Sequence, residues 1–221
     1  MSQPSLGLPV DVPPDHPALD VRPDLGLDPI RDVAATCRAC DLWERATQTV
    51  FGEGATNARL MLVGEQPGDR EDVAGHPFVG PAGQMLDEAL DRAGIDREHV
   101  FVTNVVKHFK WRPSGKRRLH ERPNPAQVRA CRPWLNLELD LVRPEVLVPM
   151  GATAAQSIIG SQFRVSESHG QILPPLTPDG PRIVATYHPS SILRSRTSEE
   201  RDEGLRMLVE DLVVAREAIA A

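Results

Sequence analysis

An α/β fold, a three-layer α/β/α sandwich with a central four-stranded parallel sheet, is what this sequence predicts. Two observations carry the expectation. Short runs rich in aliphatic and β-branched residues recur along the chain, and stretches of helical periodicity separate them. The runs are apolar throughout instead of alternating, which is the form of strands covered on both faces.

The run Arg59-Leu-Met-Leu-Val-Gly64 reads as the first strand, ending at a glycine-marked turn. His99-Val-Phe-Val-Thr-Asn104, Glu145-Val-Leu-Val-Pro149 and Arg182-Ile-Val-Ala-Thr-Tyr187 repeat the form and complete four strands. Between them, Met85, Leu86, Ala89, Leu90 and Ala93 share one face of a helix over residues 82–93, which Gly94 stops. Asn124-Pro125-Ala126-Gln127 supplies an N-cap, a proline at the first helical position and a reciprocal glutamine; Pro133 is expected to kink or restart that helix. A last helix begins near Thr197, with Glu200 completing a capping box, and runs through Leu205, Leu208, Val209 and Leu212.

Composition bounds the rest. With 221 residues, 40% of them hydrophobic, the chain can bury one core, so a single domain over residues 30–221 is expected. Residues 1–29 hold seven prolines together with Asp11, Asp15, Asp20, Asp24 and Asp28, and this acidic arm is expected to be loosely held. No apolar run is long enough to span a bilayer, and MSQPSLGLPV lacks the regions of a secretory signal; a cytoplasmic protein with no membrane partner is expected. No apolar stripe is left unassigned, so a monomer is expected.

Charge is distributed unevenly. The formal net charge is -6, yet Lys107 to Arg122 holds seven Lys or Arg against one acid. Such a local reversal suits a polyanion, nucleic acid phosphates foremost, although a solvated surface loop has the same composition. Cys37 and Cys40 are separated by two residues and Cys131 is the third cysteine. In a reducing compartment this pattern favours a metal or cluster site over disulfides.

In a parallel sheet the ligand crevice lies beyond the carboxyl ends of the strands. The segments there are GEQPGDRED, Asn104 with the basic loop, MGATAA and YHPSS. GEGATNA precedes its strand and no GxxxxGK[ST] occurs, so no nucleotide cofactor is expected.

Taken together, Gly64-Glu-Gln-Pro-Gly68, His76-Pro-Phe-Val-Gly-Pro-Ala-Gly83, Asn104 and His188-Pro-Ser190 resemble the uracil-DNA glycosylase superfamily, specifically its iron-sulfur family 4, over about residues 36–215. Two departures narrow the resemblance: His108 stands where family 4 usually has a cysteine, and Lys116-Arg-Arg-Leu-His120 is the mark of the UdgX-like branch, which joins itself covalently to uracil-containing DNA. The resemblance implies a DNA-repair hydrolase acting on uracil-containing DNA, with single strands favoured.

It also implies roles. Cys37, Cys40, His108 and Cys131 would hold a [4Fe-4S] cluster that pins the basic loop, with zinc in the same set as the rival. Phe78 would stack on a flipped base, the Asn104 amide would read the uracil edge, and His188 would donate to O2; backbone amides of Glu65, Gln66 and Gly68 would add hydrogen bonds. Glu65 would counter positive charge at the anomeric carbon, or orient a water or histidine. His120 would attack C1′ after uracil departs, in a setting where Lys116, Arg117 and Arg118 disfavour a further positive charge. Those cations, with Ser190, Ser191 and Arg194, would meet the DNA backbone. Each residue also has a plainer reading: Phe78 as a core aromatic, Asn104 as a strand-end cap, His188 as a turn-stabilising residue, His120 and His108 as phosphate contacts, and Cys131 as a small buried hydrophobe. The alternatives at the level of function are a turnover glycosylase that releases uracil and abasic DNA, and a noncatalytic nucleic-acid-binding module stapled by zinc.

Overall fold

In a computed structural model, residues 12–220 are described. In chain order the main elements are α1 (Leu27–Ala34), β1 (Glu53–Gly54), β2 (Leu60–Gly64), α2 (Asp69–Ala74), α3 (Pro81–Arg92), β3 (Val100–Asn104), β4 (Trp111–Ser114), β5 (Arg117–His120), α4 (Pro125–Val142), β6 (Val146–Pro149), α5 (Gly151–Ile158), α6 (Val165–Ser168), β7 (Ile172–Leu173), β8 (Arg182–Val184), α7 (Pro189–Ile192) and α8 (Ser198–Ala220).

The expected central sheet is present and wider than expected. Its order is β1-β3-β2-β6-β8-β7, in which β3, β2, β6 and β8 are mutually parallel and the two-residue strands β1 and β7 pair antiparallel at the edges. Successive residues of β2 point to opposite faces. Met61 and Val63 pack with Phe101, Leu147 and Ile183 against α1, α4 and α5, while Leu60 and Leu62 pack with Val102, Val148 and Val184 against α3 and α8. Burial on both sides is why the strands lack polar alternation.

Helix ends follow local chemistry. At α4, Asn124 Oδ1 accepts from Gln127 N–H and Gln127 Oε1 from Asn124 N–H, each at 2.9 Å. The expectation that Pro133 kinks or restarts this helix is corrected in part: α4 continues from residue 125 to 142 with Pro133 buried inside it. At α8, Thr197 Oγ1 accepts from Glu200 N–H, whereas the Glu200 carboxylate accepts from Arg196 N–H, one residue before the cap.

Two further differences concern segments judged from composition. The first part of the acidic arm, residues 1–11, lies outside the described residues. The rest is not loosely held: His16, Ala18 and Val21 are buried, and His16 Nε2 meets Ala130 O at 2.9 Å with its ring 5.5 Å from that of Trp134. Single anchors of this kind offset ordering entropy that average composition cannot register. The basic loop, in turn, is a β-hairpin of β4 and β5, paired from Trp111↔His120 to Ser114↔Arg117. Among the described residues no helix is long and apolar enough to cross a membrane.

One buried ion pair ties α4 to the sheet. Lys107 Nζ donates to Glu138 Oε2 at 2.7 Å, to Thr103 Oγ1 at 2.6 Å and to Asn104 O at 2.7 Å. Glu138 also accepts from Gly52 N–H at 2.8 Å, and burial pushes its carboxyl up against the opposing pull of Lys107. Removing one partner strands the other charge in the core. Glu138→Ala is therefore expected to destabilise the fold by about 3–5 kcal/mol in urea denaturation.

Candidate active site

Backbone bonds beyond the strands hold their carboxyl ends level. Val105 N–H donates to Gly64 O at 3.0 Å, Met150 N–H to Val63 O at 2.8 Å and Gly151 N–H to Thr186 O at 2.7 Å. The segments after β2, β3, β6 and β8 thus share one edge.

Gly64 is the floor of that edge. A Cβ built there would lie 2.3 Å from Asn104 Oδ1, 2.8 Å from Phe78 Cζ and 3.3 Å from His188 Nε2. Three sequence-predicted residues therefore meet over a residue that has no side chain to separate them. The Phe78 and His188 rings stand 6.2 Å apart at 26°. Asn104 Oδ1 is buried and has no hydrogen-bond partner among the described residues. An unsatisfied buried carbonyl costs about 1–3 kcal/mol, which a ligand N–H would relieve.

Phe78 is held in an uncommon conformation, with φ 57°. Such backbone persists only when neighbours overdetermine it. A Cβ at Gly83 would fall 1.6 Å from Phe78 O, so the helix can close under this turn only with glycine there. The buried Glu71 carboxylate joins the turn to the end of β2, accepting from Gly80 N–H at 2.7 Å and from Gly68 N–H at 3.1 Å. The Gly68 amide thus donates to Glu71.

His188 is a neutral donor. Its Nδ1 accepts from Ser190 N–H at 3.1 Å, which puts the ring proton on Nε2, the atom facing Gly64. Burial pushes this imidazole down to about 4, against the pull of Glu65 and with the help of Arg194 and His120. The Ser191 hydroxyl donates to His188 O at 2.7 Å and so braces the same turn.

His120 ends β5 half-exposed, with Nε2 3.2 Å from Glu65 Oε1. The other Glu65 oxygen accepts from the Thr153 hydroxyl at the start of α5. Burial works to raise the Glu65 carboxyl, but these hydrogen bonds and the nearby histidines outweigh it and leave it below the ordinary value.

The hairpin that carries His120 is fastened by side chains assigned elsewhere. The Gln66 amide nitrogen donates to Lys110 O and Glu121 O, both at 3.1 Å, and its oxygen accepts from Lys110 N–H at 3.2 Å. Gln66 thus clamps both ends of the hairpin. Arg118, expected to face DNA, is turned inward: it meets Asp69 and Asp72 at 2.5 Å each and lies 5.5 Å from the Phe109 ring centroid and 5.6 Å from that of Trp111. Asp72 is fully buried, and the Arg118 guanidinium is paired with it. Lys116, Arg117 and Arg194 are exposed.

A second constellation lies behind β3. Cys37, Cys40, His108 and Cys131 line one cavity with Lys107 and Trp134. Two buried donors address its sulfurs: Trp134 Nε1–H meets Cys37 Sγ and Lys107 N–H meets Cys131 Sγ, each at 3.2 Å. Burial pushes the Cys131 thiol up to about 12, against the Lys107 charge and its N–H, and raises Cys40 as well. His108 Nε2 donates to Thr49 Oγ1 at 3.0 Å, because that hydroxyl donates its own proton to Ala34 O; Nδ1 keeps a lone pair with no hydrogen-bond partner among the described residues. Four donors share the cavity, yet no three His, Cys, Asp or Glu side chains among the described residues converge closely enough to hold a metal ion.

Sequence reasoning did not single out Thr153, Glu71 or the side chain of Gln66 in its clamp. The MGATAA segment is marked by position alone; GEQPGDRED also carries the resemblance, but not through Glu71 or the Gln66 side chain.

The depressed His188 value has a measurable sign. Its folded-state affinity for a proton is below that of an unfolded histidine, so its contribution to stability is full above about pH 6.5 and declines as pH falls towards 4. His188→Gln is expected to flatten that part of the stability curve, and the His188 ring resonances are expected to titrate near pH 4 in NMR.

Comparison with known proteins places the chain. The family described as the uracil DNA glycosylase superfamily matches residues 51–213. The type-4 uracil-DNA glycosylase of Thermotoga maritima is 38% identical over 184 residues, which is 83% of this chain and 89% of the relative. Type-4 enzymes of Archaeoglobus fulgidus and Pyrobaculum aerophilum are 36% and 35% identical, covering 83% and 77% of this chain and 92% and 86% of their own lengths. With more than half of its length matched and relatives of this similarity, the chain belongs to the uracil DNA glycosylase superfamily, in its type-4 family.

Proposed function

We propose that this protein excises uracil from DNA by cleaving the N-glycosidic bond. The observation that carries the reading is the meeting of Asn104 Oδ1, the Phe78 ring and His188 Nε2 over Gly64; the names of its type-4 relatives support it. A flipped uracil stacks on Phe78. Its N3–H satisfies the orphaned Asn104 oxygen while the amide nitrogen donates to O4, a pattern that cytosine reverses. His188 donates from Nε2 to O2 as negative charge builds there, and its neutrality keeps that proton in place at neutral pH. Glu65, ionised between His120 and Thr153, offsets the positive charge on the sugar. Lys116, Arg117 and Arg194 are free to meet phosphates, and single strands, which need no unpairing, are the favoured substrate.

The fate of the sugar divides the reading. Turnover, with release of abasic DNA, is the course that the relatives support. The contact of His120 with Glu65 supports a finer one, shared with the UdgX-like branch. There the electron pair of the C1′–N1 bond leaves with uracil, a His120 nitrogen lone pair forms a bond to C1′, and the resulting imidazolium faces the Glu65 carboxylate.

The cavity supports a [4Fe-4S] cluster held by Cys37, Cys40, Cys131 and the free Nδ1 of His108. N–H donors aimed at sulfur suit the thiolates of a cluster. The group would supply structural bracing and no redox step. The zinc-stapled, noncatalytic reading predicts a colourless protein with stoichiometric zinc; a cluster predicts a brown one that absorbs in the visible.

Incubation with uracil-containing single-stranded DNA is expected to release uracil, and His188→Ala is expected to slow release by about 10²–10³-fold. On a denaturing gel, a conjugate that is lost in His120→Ala and His120→Ser supports the covalent course. A conjugate that persists in both removes His120 from it, and multiple turnover without a shifted band leaves the turnover course.

A further inference from the structure

The two oxygens of the Glu65 carboxylate have different partners. Oε1 faces His120, and Oε2 accepts the proton of the Thr153 hydroxyl. Thr153 is buried in the first turn of α5, and its oxygen accepts in turn from Arg122 Nε at 2.9 Å. Arg122 also reaches Gln156 Oε1, at 3.2 Å. A hydroxyl that accepts from a guanidinium while donating to a carboxylate is polarised in the sense that strengthens both bonds. Arg122 follows His120 by two residues. The chain segment that carries the imidazole is therefore tied to the same hydroxyl that orients the carboxylate.

We infer that Thr153, braced by Arg122, is a positioning residue for uracil excision, fixing the Glu65 carboxylate so that Oε1 is presented to His120 and to the reacting sugar. The inference rests on the roles proposed above for Glu65 and His120. Without the hydroxyl, Oε2 loses the donor that α5 supplies, and the carboxylate keeps the His120 contact at Oε1 but is less constrained. The groups that face Glu65 are His120 from β5, His188 at the start of α7 and Thr153 from α5, with Arg122 behind the hydroxyl. Burial already acts to raise the carboxyl, so deleting one of the hydrogen bonds that oppose it shifts protonation to higher pH.

The test is single-turnover uracil release by the full chain, across the acid pH range, for Thr153→Val, Thr153→Ser and Arg122→Gln. Thr153→Val is expected to lose roughly 10- to 100-fold in rate with DNA affinity nearly unchanged, and the acid limb of its pH profile moves to higher pH. Thr153→Ser restores both, and Arg122→Gln shifts the limb in the same direction by less. A wild-type rate and limb in Thr153→Val overturns the inference, as does a serine variant impaired as much as the valine one. Should the valine variant not fold, an unmoved limb in Arg122→Gln overturns it. A wild-type chain that releases no uracil sinks the glycosylase reading instead. In that case the Glu65 carboxyl, followed by NMR in wild type, Thr153→Ser and Thr153→Val, still decides whether the hydroxyl holds it: identical titration in all three rejects the inference.

Discussion

Everything at the carboxyl edge of the sheet depends on the missing side chain at position 64. The parallel register that pairs Gly64 with Asn104 would otherwise drive a Cβ into the amide oxygen. Because it does not, side chains from the end of β3 and from two separate loops approach within contact distance of a single point. Steric permission of this kind costs little in the folded state, since the strand around Gly64 is secured by apolar packing on both faces.

Around that point the polar groups divide into those that are complete and those that are not. Lys107 and Glu138 satisfy one another and their neighbours entirely, and Glu71 is shared between two turns. These networks make the scaffold stiff, because breaking any one contact exposes a desolvated charge. Asn104 Oδ1 is different: it is buried and unfinished. Among the described residues it is the one buried side-chain polar atom without a partner, and it lies where the proposed function places the edge of a base.

How much of this was legible in the sequence follows from the range of the interactions involved. The four central strands are continuous apolar runs and announce themselves, and so does the reciprocal cap of α4. The edge strands β1 and β7 are two residues long and have no periodicity to read. The hairpin escaped notice because its strands are four residues long and mix Arg112, Arg117 and Arg118 with Pro113 and Ser114, so no apolar alternation marks it. The order of the loops after the strands pointed to where Phe78, Asn104 and His188 would gather. Their supports did not appear, because Thr153 reaches Glu65 from 88 residues away and Gln66 reaches Lys110 from 44. Arg118 shows the converse failure. A cation in a basic run looks free until a buried carboxylate such as Asp72 is known to lie beneath it.

The Gln66 clamp has a consequence for how the molecule responds to its surroundings. Its three hydrogen bonds are formed by an uncharged amide and two backbone segments, so mobile ions do not screen them. The cations at the hairpin tip, by contrast, act through a field that salt attenuates. On the proposed reading, ionic strength governs how long DNA stays on these cations, while the Gln66 hydrogen bonds that hold the hairpin are little affected.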